Sequence, residues 1–171
     1  EVRQADEEPV EPVTEEEYLA AAEKAPLWGR YLMLLLWWSG PRISEVVGDR
    51  LAGIPHLTVG HGVGLVQEGY VDTIGKGGKR RTLLMSKKAG RLFAPWPLRV
   101  FDNLPPLFPS LRLSVPMSAR AVNDMLHRAG LRGAHAFRHA YKARLRKAGV
   151  AEEVIRALMG HGPRSGPSSR R

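Results

Sequence analysis

The segment that most constrains the fold is the apolar stretch from Leu27 to Ser39. On a helix drawn through it, apolar side chains occupy nearly every face, so such a helix must be surrounded by other elements. Its longest uninterrupted apolar run, Tyr31 to Trp38, has eight residues, whereas about 20 are needed to span a bilayer. The sequence therefore predicts a central helix inside a globular domain, with no membrane span, and Gly40 and Pro41 interrupt that helix.

Charge is distributed unevenly along the chain. Nine of the 17 acidic residues lie within the first 23 positions, and the rest of the chain has 8 acidic and 25 basic residues. A polyanionic partner relieves the repulsion in so basic a body, which favours a nucleic-acid-binding protein. The alternatives are a generally basic protein and a basic scaffold that binds acidic proteins. Cysteine is absent, which excludes a disulfide scaffold, thiolate zinc ligands and a cysteine nucleophile.

Three regions follow one another along the chain. Residues 1–13 are acidic and contain two prolines, which predicts an extended linker. Residues 14–161 form the predicted domain, which opens with the capping-box spacing of Thr14 and Glu17. Residues 162–171 are expected to be disordered or truncated. Further helical turns are predicted at Ser44–Asp49, Ser118–Arg128, His135–Ala148 and Ala151–Met159.

The middle of the chain is typical of a small β-sheet. Tyr70–Ile74 and Arg81–Met85 are short strand-like runs on either side of the glycine-rich basic stretch 75–80, which predicts a hairpin. Residues 57–66 are expected to supply a third strand, and the proline-rich residues 95–117 are expected to be irregular. Together the patterns predict an α+β fold that is mostly helical, with one small antiparallel sheet. The expected anchors of the irregular stretch are Phe101, Leu107 and Phe108.

The segment that begins at His135 carries the most informative polar residues. On a helical wheel, five basic side chains fall within one arc of about 100°, and the opposite side is apolar. The first of them lie at the helix N-terminus, where free amides favour an anion. The pattern indicates either a phosphate site or a solvated basic face. The basic side chains are His135, Arg138, His139, Lys142 and Arg146, and those expected to face the core are Phe137, Tyr141, Leu145 and Ala148.

The spacing of His135 and His139 would also suit two metal ligands on one helical turn. However, Arg138 lies between them and would repel a cation, and Ala136 stands where a zinc protease has its glutamate. The acidic residues after position 23 are scattered, which disfavours a two-metal nuclease. We therefore expect no metal at this helix.

Four segments in a fixed order resemble the catalytic domain of the tyrosine recombinase, or phage integrase, family. Arg42 lies in a Gly-x-Arg-x-Ser-Glu box, and Lys76 lies in a Gly-Lys-Gly hairpin. His135 and Arg138 match a His-x-Leu-Arg-His box, in which this chain has phenylalanine for leucine. His161 matches a Leu-Gly-His box, 23 residues after Arg138. The resemblance runs from residue 14 to residue 161 and implies the DNA breaking-rejoining fold.

The resemblance also implies a function, which is site-specific DNA recombination. In that family a tyrosine attacks the scissile phosphate and forms a 3′-phosphotyrosyl link, without a metal or other cofactor. The implied partner is double-stranded DNA, on which family members assemble as tetramers, and the implied location is the cytoplasm in association with the nucleoid. The alternative within DNA chemistry is a type IB topoisomerase, an enzyme that uses a similar residue set.

The resemblance assigns roles to five residues. Arg42 and Arg138 would clamp the phosphate oxygens, since paired guanidinium groups suit a developing dianion. Lys76 would protonate the departing 5′-oxygen. His135 would assist proton transfer with the nucleophile, and His161 would hydrogen-bond the phosphate. Further DNA-binding residues are expected to be Lys79, Arg80, Arg81, His139, Lys142 and Arg146.

The nucleophile is unknown, because the family's tyrosine should follow His161 closely and the sequence has none between His161 and Arg171. We expect a fragment that stops just before the tyrosine. The alternatives are a catalytically inactive remnant that binds DNA, and a protomer that receives the tyrosine from its neighbour. The tyrosines present are Tyr18, Tyr31, Tyr70 and Tyr141.

Overall fold

The computed structural model describes residues 10–96, 105–110 and 115–161. These residues form helices and one hairpin, with a short 3-10 turn at Lys76–Gly78 between the two strands. None of the described helices is both long enough and apolar enough to cross a membrane. In chain order the elements are α1 (Glu15–Lys24), α2 (Leu27–Ser39), α3 (Ile43–Val47), α4 (Val59–Gln67), β1 (Tyr70–Ile74), β2 (Arg80–Leu84), α5 (Lys87–Phe93), α6 (Ala119–Arg128), α7 (Ala134–Lys147) and α8 (Glu152–Leu158).

Helix α2 lies at the centre of the domain, as its apolar faces predict. The six consecutive residues 32–37 are buried, so this part of the helix is covered on every side, whereas Leu27 at its start is 61% exposed. Helices α1, α5, α6 and α7 and strand β2 pack around it. Gly40 ends the helix in the left-handed conformation, with φ of 60°. Helix α2 is therefore the central element against which the other helices and β2 are positioned.

Local signals located most of the other helices. The Thr14 hydroxyl accepts a hydrogen bond from the Glu17 amide, and the Glu17 carboxylate accepts one from the Thr14 amide, so α1 starts with the predicted capping box. Ser118 caps α6. The hairpin pairs β1 with β2 in antiparallel register, with Tyr70 opposite Leu84. Leu107 and Phe108 are buried anchors as predicted, whereas Phe101 lies outside the described residues.

Two predictions about the fold are wrong. Residues 57–66 do not form a third strand; most of them belong to α4, because Thr58 caps that helix and the Thr58 amide donates to Nδ1 of His61 at 2.9 Å. Helix α5, capped by Ser86, was not predicted. Ala148 was expected in the core but is exposed, because α7 ends one residue earlier.

The described end of the acidic linker forms a strap, residues 10–14, which lies against the domain. Val13 is buried and its amide donates to the carbonyl of Ala136 at 3.3 Å. The guanidinium of Arg132 donates to the carbonyls of Glu11 and Pro12 and to the carboxylate of Glu17. The strap is therefore fixed to the start of α7. The predicted linker residues 1–9 and the predicted tail 162–171 lie outside the described residues.

Candidate phosphate-binding site

An open cavity of about 460 Å³ lies at the N-terminal end of α7. It brings together Arg42, His135 and Arg138, three of the five predicted catalytic residues, although Arg42 lies far from the other two in sequence. Arg42 follows α2 and precedes α3, whereas His135 and Arg138 belong to the first turns of α7. The other residues that line the cavity are Pro41, Ile43, Ser44, Asn123, His127, Arg132, Gly133 and Ala134.

Arg138 is buried, which argues against the alternative of a solvated basic face at this position. The residue is 6% exposed. Its guanidinium donates to the carbonyl of Gly40 at 2.9 Å and to the carbonyl of Met159. These carbonyls end α2 and α8, where the helix dipole is negative. Burial, followed by the charges of Arg81 and Arg42, lowers the pKa of Arg138 to about 9.

One buried carboxylate, that of Glu45, lies among three guanidinium groups. Its oxygens are 3.6 Å from Nη1 of Arg42 and 3.2 Å from Nη1 of Arg81, and one oxygen also accepts the Arg42 amide at 2.8 Å. Glu45 also acts electrostatically on Arg138. Three positive charges thus face a single negative one. The imbalance favours a bound anion, and in sequence Glu45 could be recognised only as a local partner of Arg42.

Arg81 was predicted as a DNA contact, and the structure contradicts this. Its side chain is 2% exposed and is paired with Glu45. Neighbouring residues on a strand point to opposite faces, so Arg80 is exposed while Arg81 points inward. Arg81 therefore lies beneath Arg42 and Glu45, and its guanidinium is not exposed to a DNA backbone.

Helix α6 fixes the start of α7 through two residues that were not predicted as functional. Oδ1 of Asn123 accepts the Ala134 amide at 3.1 Å, which caps α7 from another helix. Nε2 of His127 lies 3.2 Å from the Arg132 carbonyl. Both side chains line the cavity. No local sequence signal marks them, because their partners lie on the following turn and helix.

The three histidines of the predicted site lie close to the arginines. His135 is exposed, and its ring meets that of His139 edge to face, with centroids 4.7 Å apart. Burial, then His135 and Lys142, lower the pKa of His139. His161 follows α8, and burial, then Arg138 and Arg42, lower its pKa. Within the described residues, no three His, Asp or Glu side chains are grouped so that they could hold a metal ion.

Lys76 does not line the cavity and stands exposed at the hairpin tip. The strand end before it nevertheless packs closely against the site, because a Cβ at Gly75 would lie 3.0 Å from Oε1 of Glu45. The tip that carries Lys76 therefore begins at the same carboxylate that holds Arg42. Nothing in the static geometry brings the Lys76 ammonium group to the arginines.

The remaining predicted DNA contacts differ in their surroundings. Lys79 is exposed at the tip, as is Arg80, and Lys142 is half-buried on α7. Arg146 is exposed but forms a two-pronged ion pair with Glu152, with the nearer contact at 2.7 Å. A phosphate would have to compete with Glu152 for Arg146. As DNA contacts, these residues stay predictions.

Comparison with known proteins matches the chain to one family over most of its length. The model of the phage integrase family matches residues 11–165. The tyrosine recombinase XerC of Pseudomonas syringae pv. tomato is 28% identical over 157 residues, which is 86% of this chain and 46% of that protein. The XerC of Erythrobacter litoralis is 29% identical over 161 residues, covering 89% of this chain and 49% of that protein. The chain thus spans about half the length of these curated relatives.

Solved structures share the fold at lower identity. The integrase of mycobacterium phage Brujita superposes with a TM-score of 0.68 at 22% identity, over 92% of this chain and 52% of that one. The Tn1549 transposon integrase, solved with a circular intermediate DNA, gives 0.67 at 18% identity, over 94% and 60%. The XerA recombinase gives 0.64 at 17% identity, over 95% and 58%.

Proposed function

Because the chain belongs to the phage integrase family, we propose that it is the part of a site-specific DNA recombinase or integrase that binds and activates the scissile phosphate. The observation that carries the proposal is the charge imbalance around Glu45, next to the cavity. The guanidinium groups of Arg42 and Arg81 pair with the single buried carboxylate of Glu45, which also acts electrostatically on Arg138. A phosphodiester supplies the missing negative charge.

The proposed reaction is a transesterification at phosphorus. A tyrosine hydroxyl loses its proton and attacks the phosphate, and the 5′-oxygen of the next nucleotide leaves with a proton. Negative charge grows on the two non-bridging oxygens, and the forks of Arg42 and Arg138 stabilise it without reorganisation of solvent. The bond energy is retained in the phosphotyrosyl link, so rejoining is the reverse reaction and needs no energy cofactor.

Proton transfer is assigned to two groups, and a third binds the phosphate. Lys76, on the exposed hairpin tip, protonates the leaving 5′-oxygen when the tip closes on bound DNA. His135, at the cavity mouth, accepts the proton of the nucleophile. His161, beside Arg138 and Arg42, donates a hydrogen bond to a phosphate oxygen. The nucleophile is not assigned to any residue of the chain, since its four tyrosines all precede His161.

The proposed partner is double-stranded DNA, and the proposed location is the cytoplasm with the nucleoid. The basic excess of the domain supports the partner, as does the DNA in the structure of the Tn1549 integrase. Exchange between two duplexes breaks four DNA strands, and each protein active site breaks one of them. We therefore propose that four copies assemble on paired DNA sites.

Binding to a fluorescent duplex at different salt concentrations tests the proposal. Between 50 and 200 mM salt we expect affinity to fall roughly 100-fold if about four phosphates are neutralised. Arg42→Ala is expected to weaken binding at every salt concentration. Arg91→Ala, which removes an exposed arginine outside the cavity, is the matched control and should change affinity less than twofold. A flat salt response, or equal losses in the two variants, contradicts the proposal.

A DNA-binding module without cleavage is the second candidate. It is favoured by the state of Tyr18 and Tyr141, which are buried and whose pKa burial raises, so that neither is poised to attack. The test is a denaturing gel of the protein incubated with duplexes of randomised sequence. A protein-linked DNA band would assign the nucleophile to a tyrosine of this chain. Salt-sensitive binding without such a band favours the binding module for these 171 residues.

A further inference from the structure

Arg81 is a charged residue inside the domain whose position needs an explanation. Its side chain is 2% exposed, and among the described residues its Nε has no hydrogen-bond partner. Burying a guanidinium group is costly unless nearby groups compensate. Its ionic partner is Glu45, whose carboxylate lies within 3.2 Å and 3.5 Å of Nη1 of Arg81. The carboxylate is shared with Arg42, so this pair does more than neutralise one charge.

Three segments of the proposed site meet at Arg81 and Glu45. The first is the start of α3, where Glu45 binds both the amide and the side chain of Arg42. The second is the end of β1, where a Cβ at Gly75 would lie 3.0 Å from the Glu45 carboxylate, next to the hairpin tip.

The third segment is the turn after α8. A Cβ at Gly160 would lie 3.2 Å from Cδ of Arg81 and 3.7 Å from Nη1 of Arg42. The next residue is His161. The side chain of Arg81 thus fills the space between the hairpin and the turn that carries the histidine, with Arg42 at its edge.

We propose that Arg81 is a positioning residue of the phosphate site, which acts through Glu45 and the turn at Gly160 and never touches DNA. It keeps Glu45 in place, and Glu45 in turn orients Arg42. Its aliphatic stem sets the separation between the hairpin and His161. This inference deepens the proposed function and rests on it.

The competing explanation is that Arg81 only stabilises the fold or only adds positive charge to the cavity. Two substitutions separate these roles. Arg81→Met keeps most of the stem and removes the charge, whereas Arg81→Lys keeps the charge and removes the planar fork. Arg91→Met makes the same chemical change at an exposed arginine on α5, outside the cavity, and is the control.

The experiment measures the affinity of the full chain for inorganic phosphate, read from the ring resonances of His161 and His135 in NMR titrations. We expect Arg81→Met to weaken phosphate binding at least fivefold, Arg81→Lys to restore only part of the loss, and Arg91→Met to change affinity less than twofold. In a Glu45→Gln background, Arg81→Met should cost less than twofold, because the residue acts through that carboxylate.

Several results would overturn the assignment. Full restoration by Arg81→Lys would mean that Arg81 supplies charge alone, and an affinity unchanged in Arg81→Met despite a lower melting temperature would mean that it is only structural. If Arg81→Met does not fold, the double variant Glu45→Gln/Arg81→Met, in which both charges are removed, is compared with Glu45→Gln alone. Arg42→Ala tests the premise separately. If it too leaves phosphate binding unchanged, the proposed function fails; if it alone abolishes binding, only the role of Arg81 fails.

Discussion

Gly40 is the position where one added methyl group should disturb both folding and the candidate site. The residue ends α2 with φ of 60°, and a Cβ built on it would lie 2.3 Å from Cδ1 of Tyr141. Its carbonyl accepts the hydrogen bond from Arg138 at 2.9 Å. We therefore expect Gly40→Ala to lower the stability of the domain and to displace Arg138.

The expected magnitude has two parts. A non-glycine residue in the left-handed region costs about 1–2 kcal/mol. Forcing the Tyr141 ring to move is a case of overpacking, which costs about 1–3 kcal/mol. The sum is roughly 2–5 kcal/mol, and a domain of this size loses about 2–4 °C of melting temperature per kcal/mol, so a decrease of roughly 4–20 °C follows.

Gly53→Ala is the matched control, because Gly53 has φ of 67° and nothing lies within 4 Å of its would-be Cβ. It carries the backbone cost alone, about 1–2 kcal/mol. Urea denaturation followed by tryptophan fluorescence measures both variants, and phosphate titration measures the site. If Gly40→Ala costs no more than Gly53→Ala and binds phosphate normally, then the close approach of Gly40 to Tyr141 does not limit the stability and the Gly40 carbonyl does not position Arg138.

Three further predictions concern other contacts. Arg144→Met should lower the free energy of unfolding by about 2 kcal/mol. The reason is that the guanidinium lies 3.8 Å from the centroid of the Trp37 ring and donates to the Trp37 carbonyl. An unchanged midpoint in urea denaturation would show that neither contact stabilises the domain. Arg132→Ala should speed hydrogen exchange at the Val13 amide, which NMR measures, because the strap loses its anchor; unchanged protection would mean that other contacts hold the strap. Stability should fall as pH drops below about 6.5, because the unfolded chain binds protons that the folded chain resists. Replacing the responsible histidines with glutamine should flatten this profile in urea denaturation at pH 7.5 and 5.5, and an unaltered pH dependence would contradict the assignment to His61, His139 and His161.

Elements with local signals could be predicted from the sequence. The capping residues Thr14 and Ser118 and the all-round apolar α2 depend on neighbours within a few positions, so their helices were located to within a residue or two. The hairpin was also located from a local signal, because its glycine-rich tip predicts a turn. The ordered boxes located the cavity residues Arg42, His135 and Arg138, since each box is short and contiguous.

The errors share a physical cause, which is dependence on distant partners. Helix α4 is rich in glycine, and its packing against α5 and β1 overrides a poor helical propensity. The burial of Arg81 is set by Glu45, 36 residues earlier in the chain. Likewise, Arg138 turns inward because the ends of α2 and α8 offer carbonyls there. No local pattern contains these partners.

The hydrogen bonds of Arg138 to two helix ends affect which residues such a chain retains during evolution. A lineage that no longer cut DNA would still need this arginine to join α2 to α8, so selection for folding alone would preserve it. The presence of Arg138 in a related chain is therefore weak evidence that this chain still cleaves DNA. Lys76 and His135, to which the proposed function assigns proton transfer, are exposed and contribute little to the fold. In such a lineage they would change sooner than Arg138.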